Sequence, residues 1–160
     1  MAAVRQLRRV PCVLVGSGLA IRQAAELVGV SSARFEPYTG QALRAGRTYL
    51  LETGPQLAAR DLNPTRPTRT AGRSQLAAIN AAFDLVRAHP GAALVTGPVS
   101  KALIAHSGAP GAESFTGHTE WLQARDGAKS SVMCFASPRL TTSLASTHLP
   151  LHRVPEWLTP

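Results

Sequence analysis

Near the start of the chain, Pro11-Cys12-Val13-Leu14-Val15-Gly16 is an apolar run too short for a helix, closed by Gly16-Ser17-Gly18. Such a run, bounded by turn residues, reads as a buried strand. The residues ahead of it, Val4-Arg5-Gln6-Leu7-Arg8-Arg9, read as the last turns of a helix. Beyond the turn, Ala20, Ala24, Leu27 and Val28 fall on one helical face and Gly29 supplies a stop. A buried strand that turns straight into an amphipathic helix is the building unit of α/β folds.

The same logic carries along the chain. Short strands are predicted at 33–35 and 48–52, then a polar surface stretch from Asn63 to Arg73 interrupted by Pro64 and Pro67. Ser74 is the predicted N-cap of the clearest helix, in which Leu76, Ile79, Phe83 and Val86 share a face before His89-Pro90-Gly91 ends it. Ala92-Ala93-Leu94-Val95 has no polar alternation, the pattern of a strand covered on both sides. A short helix is predicted over 100–106 and another after Phe115, carrying Trp121 and Leu122. Strands at 131–136 and 140–147 flank Ser137-Pro138-Arg139 closely enough to pair as a hairpin. The predicted class is α/β with a mixed sheet.

Composition narrows the function. At 160 residues and 44% apolar content the chain has the makings of a packed core. The charge of +8 comes from 15 Arg and 2 Lys dispersed from Arg5 to Arg153, and aromatics make up only 5%. A nucleic-acid binder concentrates its charge and interleaves aromatic residues, so dispersed arginine beside 26 alanines points to GC-rich coding instead. No nucleic-acid or membrane partner is expected, because no signal peptide or long apolar run occurs. Cys12 and Cys134 both read as buried free thiols suited to a cytoplasmic protein.

Three clusters carry residues with chemical capability at predicted strand ends, where α/β sheets place their sites. Thr96-Gly97-Pro98-Val99-Ser100-Lys101 reads equally as a plain strand-to-helix turn or as an anion site with Lys101 as its point charge. In Phe115-Thr116-Gly117-His118-Thr119-Glu120, Gly117 allows an unusual turn and His118 and Thr119 bring an imidazole and a hydroxyl to a helix start. Its alternative is a helix cap. Ser146-Thr147-His148-Leu149-Pro150-Leu151-His152 offers His148 as a metal ligand, but Pro150 keeps His152 off a shared helical face. His89 and His106, at helix ends, read as capping or solvated residues. Gly16-Ser17-Gly18 lacks the third glycine of a dinucleotide fingerprint.

In order, Ala93-Leu94-Val95-Thr96-Gly97-Pro98-Val99-Ser100-Lys101, Phe115-Thr116-Gly117-His118-Thr119-Glu120-Trp121-Leu122 and Thr147-His148-Leu149-Pro150-Leu151 resemble the 4-hydroxythreonine-4-phosphate dehydrogenases of vitamin B6 biosynthesis. The resemblance implies an α/β/α fold similar to isocitrate and isopropylmalate dehydrogenases, and a homodimer with sites between subunits. It implies oxidation of a phosphorylated hydroxy-amino acid by NAD or NADP, followed by loss of CO₂. It also implies a divalent metal (Zn, Mg or Co) on the reacting oxygens. His118 and Thr119 match the substrate-contacting pair, His148 matches the first of three metal-binding histidines, and Lys101 matches a family lysine of unassigned role.

The chain also departs from that pattern. The family's initial Gly-Glu-Pro-x-Gly-Ile-Gly loop has no counterpart, nor does the later part that carries the other two histidines and much of the nicotinamide site. Residues 1–160 are therefore expected to be an incomplete part of the family's domain pair, inactive alone. His152 stands where a basic residue is usual, and 108–114 is longer than the usual approach to Gly-His-Thr-Glu. The alternatives are a relative acting on threonate or erythronate 4-phosphate and a non-catalytic truncated paralogue.

Overall fold

A computed structural model describes residues 10–147 and 149–158. The helix expected to end near Arg9 and the candidate ligand His148 lie outside the described residues. Two compact units divide between His118 and Thr119.

The first unit is built on a parallel sheet. Strand β1 (Cys12–Gly16) leads through Ser17 into helix α1 (Gly18–Leu27), as expected. Ser17 caps that helix, its Oγ accepting from the Ala20 amide at 3.4 Å. Gly29, with a φ of 64°, turns the chain out of it. The buried side of α1 differs from the predicted one: Ala25 is fully buried whereas Leu27 is 82% exposed. Gly18 and Ala25 are buried with Ile21 half-buried beside them, whereas Leu27 and Val28 of the predicted stripe are exposed.

After a 3-10 turn at Ser32–Arg34 come β2 (Phe35–Pro37) and β3 (Thr48–Glu52). The order is β1-β3-β2, all parallel, with Cys12 opposite Thr48 and Gly16 opposite Glu52. Tyr49 and Leu50 point to opposite faces of β3, and both are buried, so this central strand is covered on both sides.

Helix α2 (Arg69–Ala88) begins well before the predicted Ser74 cap. Thr68 is the N-cap, its hydroxyl oxygen accepting from the Ala71 amide at 3.2 Å. That hydroxyl also donates to Asp61 Oδ1 at 2.7 Å, and Asp61 Oδ2 accepts from the Ala58 amide at 2.9 Å. A carboxylate brought in from the preceding turn thus selects the earlier cap, and Ser74 is buried inside the helix. Leu76 and Ile79 enter the core as expected, with Phe83 and Val86 half-buried on the same side.

The strand expected over 92–95 does not form, and Val95 is 85% exposed. Apolar side chains alone do not make a strand; a ladder partner is required, and among the described residues this segment has none. Helix α3 (Lys101–Ala105) follows, capped by Ser100. It crosses α2 so closely that the Leu103 carbonyl occupies the place of a Cβ on Gly72. Residues 107–115 then fold as a compact connector. Gly108 and Gly111 are left-handed, and a 3-10 turn at Ala112–Ser114 packs on α3.

In the second unit, helix α4 (His118–Asp126), whose first residue closes the first unit, is followed by β4 (Cys134–Ala136) and β5 (Thr141–Ser143). The predicted hairpin is present but shorter, with Cys134 opposite Ser143. Ser137 Oγ holds its turn by accepting from the Leu140 amide at 3.0 Å. The parallel and antiparallel pairings therefore sit in separate sheets rather than one mixed sheet. Cys134 is exposed, against expectation, because neither face of this ribbon is covered; Cys12 is half-buried. A 3-10 turn at Leu151–Arg153 and the single turn α5 (Val154–Trp157) complete the unit. Exposed His152 lies in the first of these, after Pro150, and not on a helix that could present two histidines. No helix among the described residues is long and apolar enough to cross a membrane.

Candidate functional site

The three sequence clusters have different fates. In the first, Lys101 opens α3 and is exposed. The Ser100 Oγ accepts from the Leu103 amide at 3.3 Å, and the Ser100 amide is already used by Gln75 Oε1 at 3.0 Å. Gln75, unnoticed in the sequence, pins the start of α3 to α2. The turn at Gly97 is open, with nothing within 4 Å of a Cβ there. This cluster is a five-residue helix capped by Ser100, whose own amide is committed inside the protein.

The Gly16-Ser17-Gly18 turn is likewise satisfied from within. Its site at the C-terminal edge of β1 and β3 is filled by the Glu52 carboxylate, which lies against Gly18 and takes a hydrogen bond from Arg22 Nη2 at 2.6 Å. A negative group at a helix start complements its dipole. Gly18 has to lack a side chain for that carboxylate to fit.

The second cluster is different. Phe115, itself buried, follows the connector turn by donating its amide to the Ala112 carbonyl at 3.0 Å. Gly117 is buried, and its φ is not in the left-handed region. His118 starts α4 and is half-buried, and Thr119, the first residue of the second unit, is exposed. An imidazole and a hydroxyl thus stand at a helix start, where the dipole favours an oxyanion.

The state of its histidine sets this cluster apart. His89 and His106 each bind back to the carbonyl four residues earlier, Nδ1 to Leu85 O at 2.8 Å and to Ala102 O at 2.7 Å. A carbonyl only accepts, so Nδ1 donates in both; in neutral His89 this leaves Nε2 to accept from the Tyr38 hydroxyl at 3.3 Å. Both are capping histidines, as expected. His118 begins its helix and has no such carbonyl. Among the described residues its ring nitrogens have no hydrogen-bond partner, and its contact is with the Phe115 ring, centroids 6.1 Å apart at 78°. It keeps its full capacity to donate and accept. Phe115 was missed as a site residue, although its place three residues before His118 was the available signal.

In the third cluster, His148 lies outside the described residues. Among those described, no group of three or more His, Cys, Asp or Glu stands together to hold a metal ion. The implied ligand His148 is not among the residues so compared.

Comparison with known proteins bears on the whole chain. The family profile described as pyridoxal phosphate biosynthetic protein PdxA matches residues 8–160. A 4-hydroxythreonine-4-phosphate dehydrogenase of Acidithiobacillus ferrooxidans is 37% identical over 145 residues, covering 88% of this chain and 41% of the relative. One of Citrobacter koseri is 51% identical over 69 residues, covering 43% of this chain and 20% of the relative. One of Thioalkalivibrio sulfidiphilus is 52% identical over 68 residues, covering 42% and 19%. The chain thus spans less than half the length of these relatives.

Proposed function

The chain belongs to the family of the pyridoxal phosphate biosynthetic protein PdxA, and from that membership we propose that it takes part in the NAD(P)-linked oxidation and decarboxylation of 4-phosphohydroxy-L-threonine. His118 and Thr119 are its substrate-contacting residues. The observation that carries this reading is the unbonded imidazole at the start of α4, inside the segment where the chain follows the family pattern.

The chemistry asked of the two residues is modest and matches what they offer. The substrate has an alcohol to be oxidised, a carboxylate and a phosphate, all rich in oxygen. A neutral imidazole donates from one nitrogen and accepts at the other, so His118 can hold a hydroxyl oxygen or share its proton. The Thr119 hydroxyl donates to an anionic oxygen, and the first amides of α4 add their partial positive charge. Holding the reacting carbon still relative to the hydride acceptor is the main rate advantage such contacts supply. NAD or NADP, when bound, takes the hydride.

His148 is proposed as one ligand of a divalent metal, with the homodimer of the family as the working assembly. The roles given to His118 and Thr119 are argued from their own donors and acceptors, without that ion.

Isothermal titration of the 160-residue protein with 4-phosphohydroxy-L-threonine tests the reading. Binding is expected, weakened at least about tenfold, or 1.4 kcal/mol, by Thr119→Val or His118→Gln. Absence of binding, or binding that neither substitution alters, overturns it.

A further inference from the structure

We propose that Phe115 is a positioning residue for His118: its buried ring sets the orientation of the imidazole without using either ring nitrogen. The inference rests on the substrate-contacting role proposed for His118.

A histidine at the first position of a helix is free to rotate about two side-chain bonds, and only a specific contact can select one orientation. Elsewhere in this unit that contact is a hydrogen bond to the chain's own carbonyl, which consumes Nδ1 of both His89 and His106. His118 has an aromatic contact instead, at 6.1 Å and 78°, within the range of a favourable edge-to-face pair. The Phe115 ring is itself a fixed reference. It is 4% exposed, and its backbone is tied to Ala112, which is fully buried in the turn that packs on α3. Rigidity therefore passes from the core to the imidazole through an apolar contact. A residue meant to bind a polar ligand gains most from that arrangement, since preorganisation lowers the cost of binding and no donor or acceptor has to be released first.

The test is histidine-ring NMR of the 160-residue protein, comparing wild type with Phe115→Leu and Phe115→Tyr and assigning His118 through His118→Gln. Phe115→Leu is expected to move the His118 ring resonances toward those of a freely rotating histidine. His89 and His106 should stay in place as reporters of an intact fold. Titrated with 4-phosphohydroxy-L-threonine, Phe115→Leu should bind about three- to tenfold more weakly, the worth of one aromatic pair, while Phe115→Tyr should restore most of the affinity. Unchanged His118 resonances in Phe115→Leu overturn the proposal. If Phe115→Leu disturbs all three histidines, Phe115→Tyr decides: a wild-type His118 signal supports the aromatic contact, and a displaced one overturns it. A wild-type protein that ignores the ligand while Phe115→Leu still moves His118 supports the ring contact and overturns the substrate reading.

Discussion

The carbonyl oxygen of Leu103 lies where the Cβ of any other residue at position 72 would stand, so Gly72 is what lets α3 cross α2. Around this crossing, Arg73 Nε donates to the Ser107 carbonyl at 2.9 Å, and Ser107 is fully buried. The glycine accordingly supports the connector that leads to Phe115 and His118.

Gly72→Ala is expected to destabilise the protein by about 1–3 kcal/mol, since the obstructing atom is backbone and a helix must shift to make room. In thermal unfolding that is a fall of roughly 2–12 °C for a chain of this size. Gly97→Ala, where the space is open, should leave the melting temperature nearly unchanged.

Acid should unfold the protein partly through Asp61. The Thr68 hydroxyl, the Ala58 amide and the Arg60 charge hold its carboxyl below the usual carboxylate range, against some opposition from burial. A depressed value in the folded state means that its stabilisation is fully present above the unfolded value, near 3.8. It is lost as pH falls through the folded value. Asp61→Asn should therefore be less stable than wild type at pH 7, with the gap closing below about pH 4. A gap independent of pH in denaturant titrations would exclude the ionised carboxylate as its source.

The three histidines of the first unit should separate by function. His89→Gln and His106→Gln remove capping contacts at helix ends and are expected to lower stability by about 0.5–1.5 kcal/mol each, without altering ligand affinity. His118→Gln should do the reverse. Paired thermal melts and calorimetric titrations of the three variants would reveal the division.

Cys134 should react with maleimide well before Cys12. The first is exposed on β4, whereas burial raises the thiol pKa of Cys12 and reduces its thiolate, the reactive form. Mass spectrometry after brief labelling should find one adduct, on Cys134, and denaturant should bring the second. Simultaneous labelling in the native state would contradict the placement of Cys12 in β1.

Features governed by neighbouring residues were legible from the chain itself. These were β1 and its turn, β3 from Thr48 to Glu52, the capped helix after Ser100, the hairpin around Ser137 and the capping roles of His89 and His106. Periodicity, turn chemistry and cap preference act over a few residues, so they leave a local trace. The pairing of His118 and Thr119 at a helix start was legible for the same reason. What stayed hidden depends on atoms distant along the chain. Asp61 chose Thr68 over Ser74 as the cap of α2, and residues 92–95 stayed out of a strand for want of a ladder partner. Gly72 was needed only because Leu103 crosses it. His118 was distinguished from the other histidines by the bond it lacks and the ring it meets. The sequence determined which residues could cap, turn or bind; tertiary structure decided which of those capacities are consumed internally, because a hydrogen bond or a packed ring needs a partner that only folding brings near.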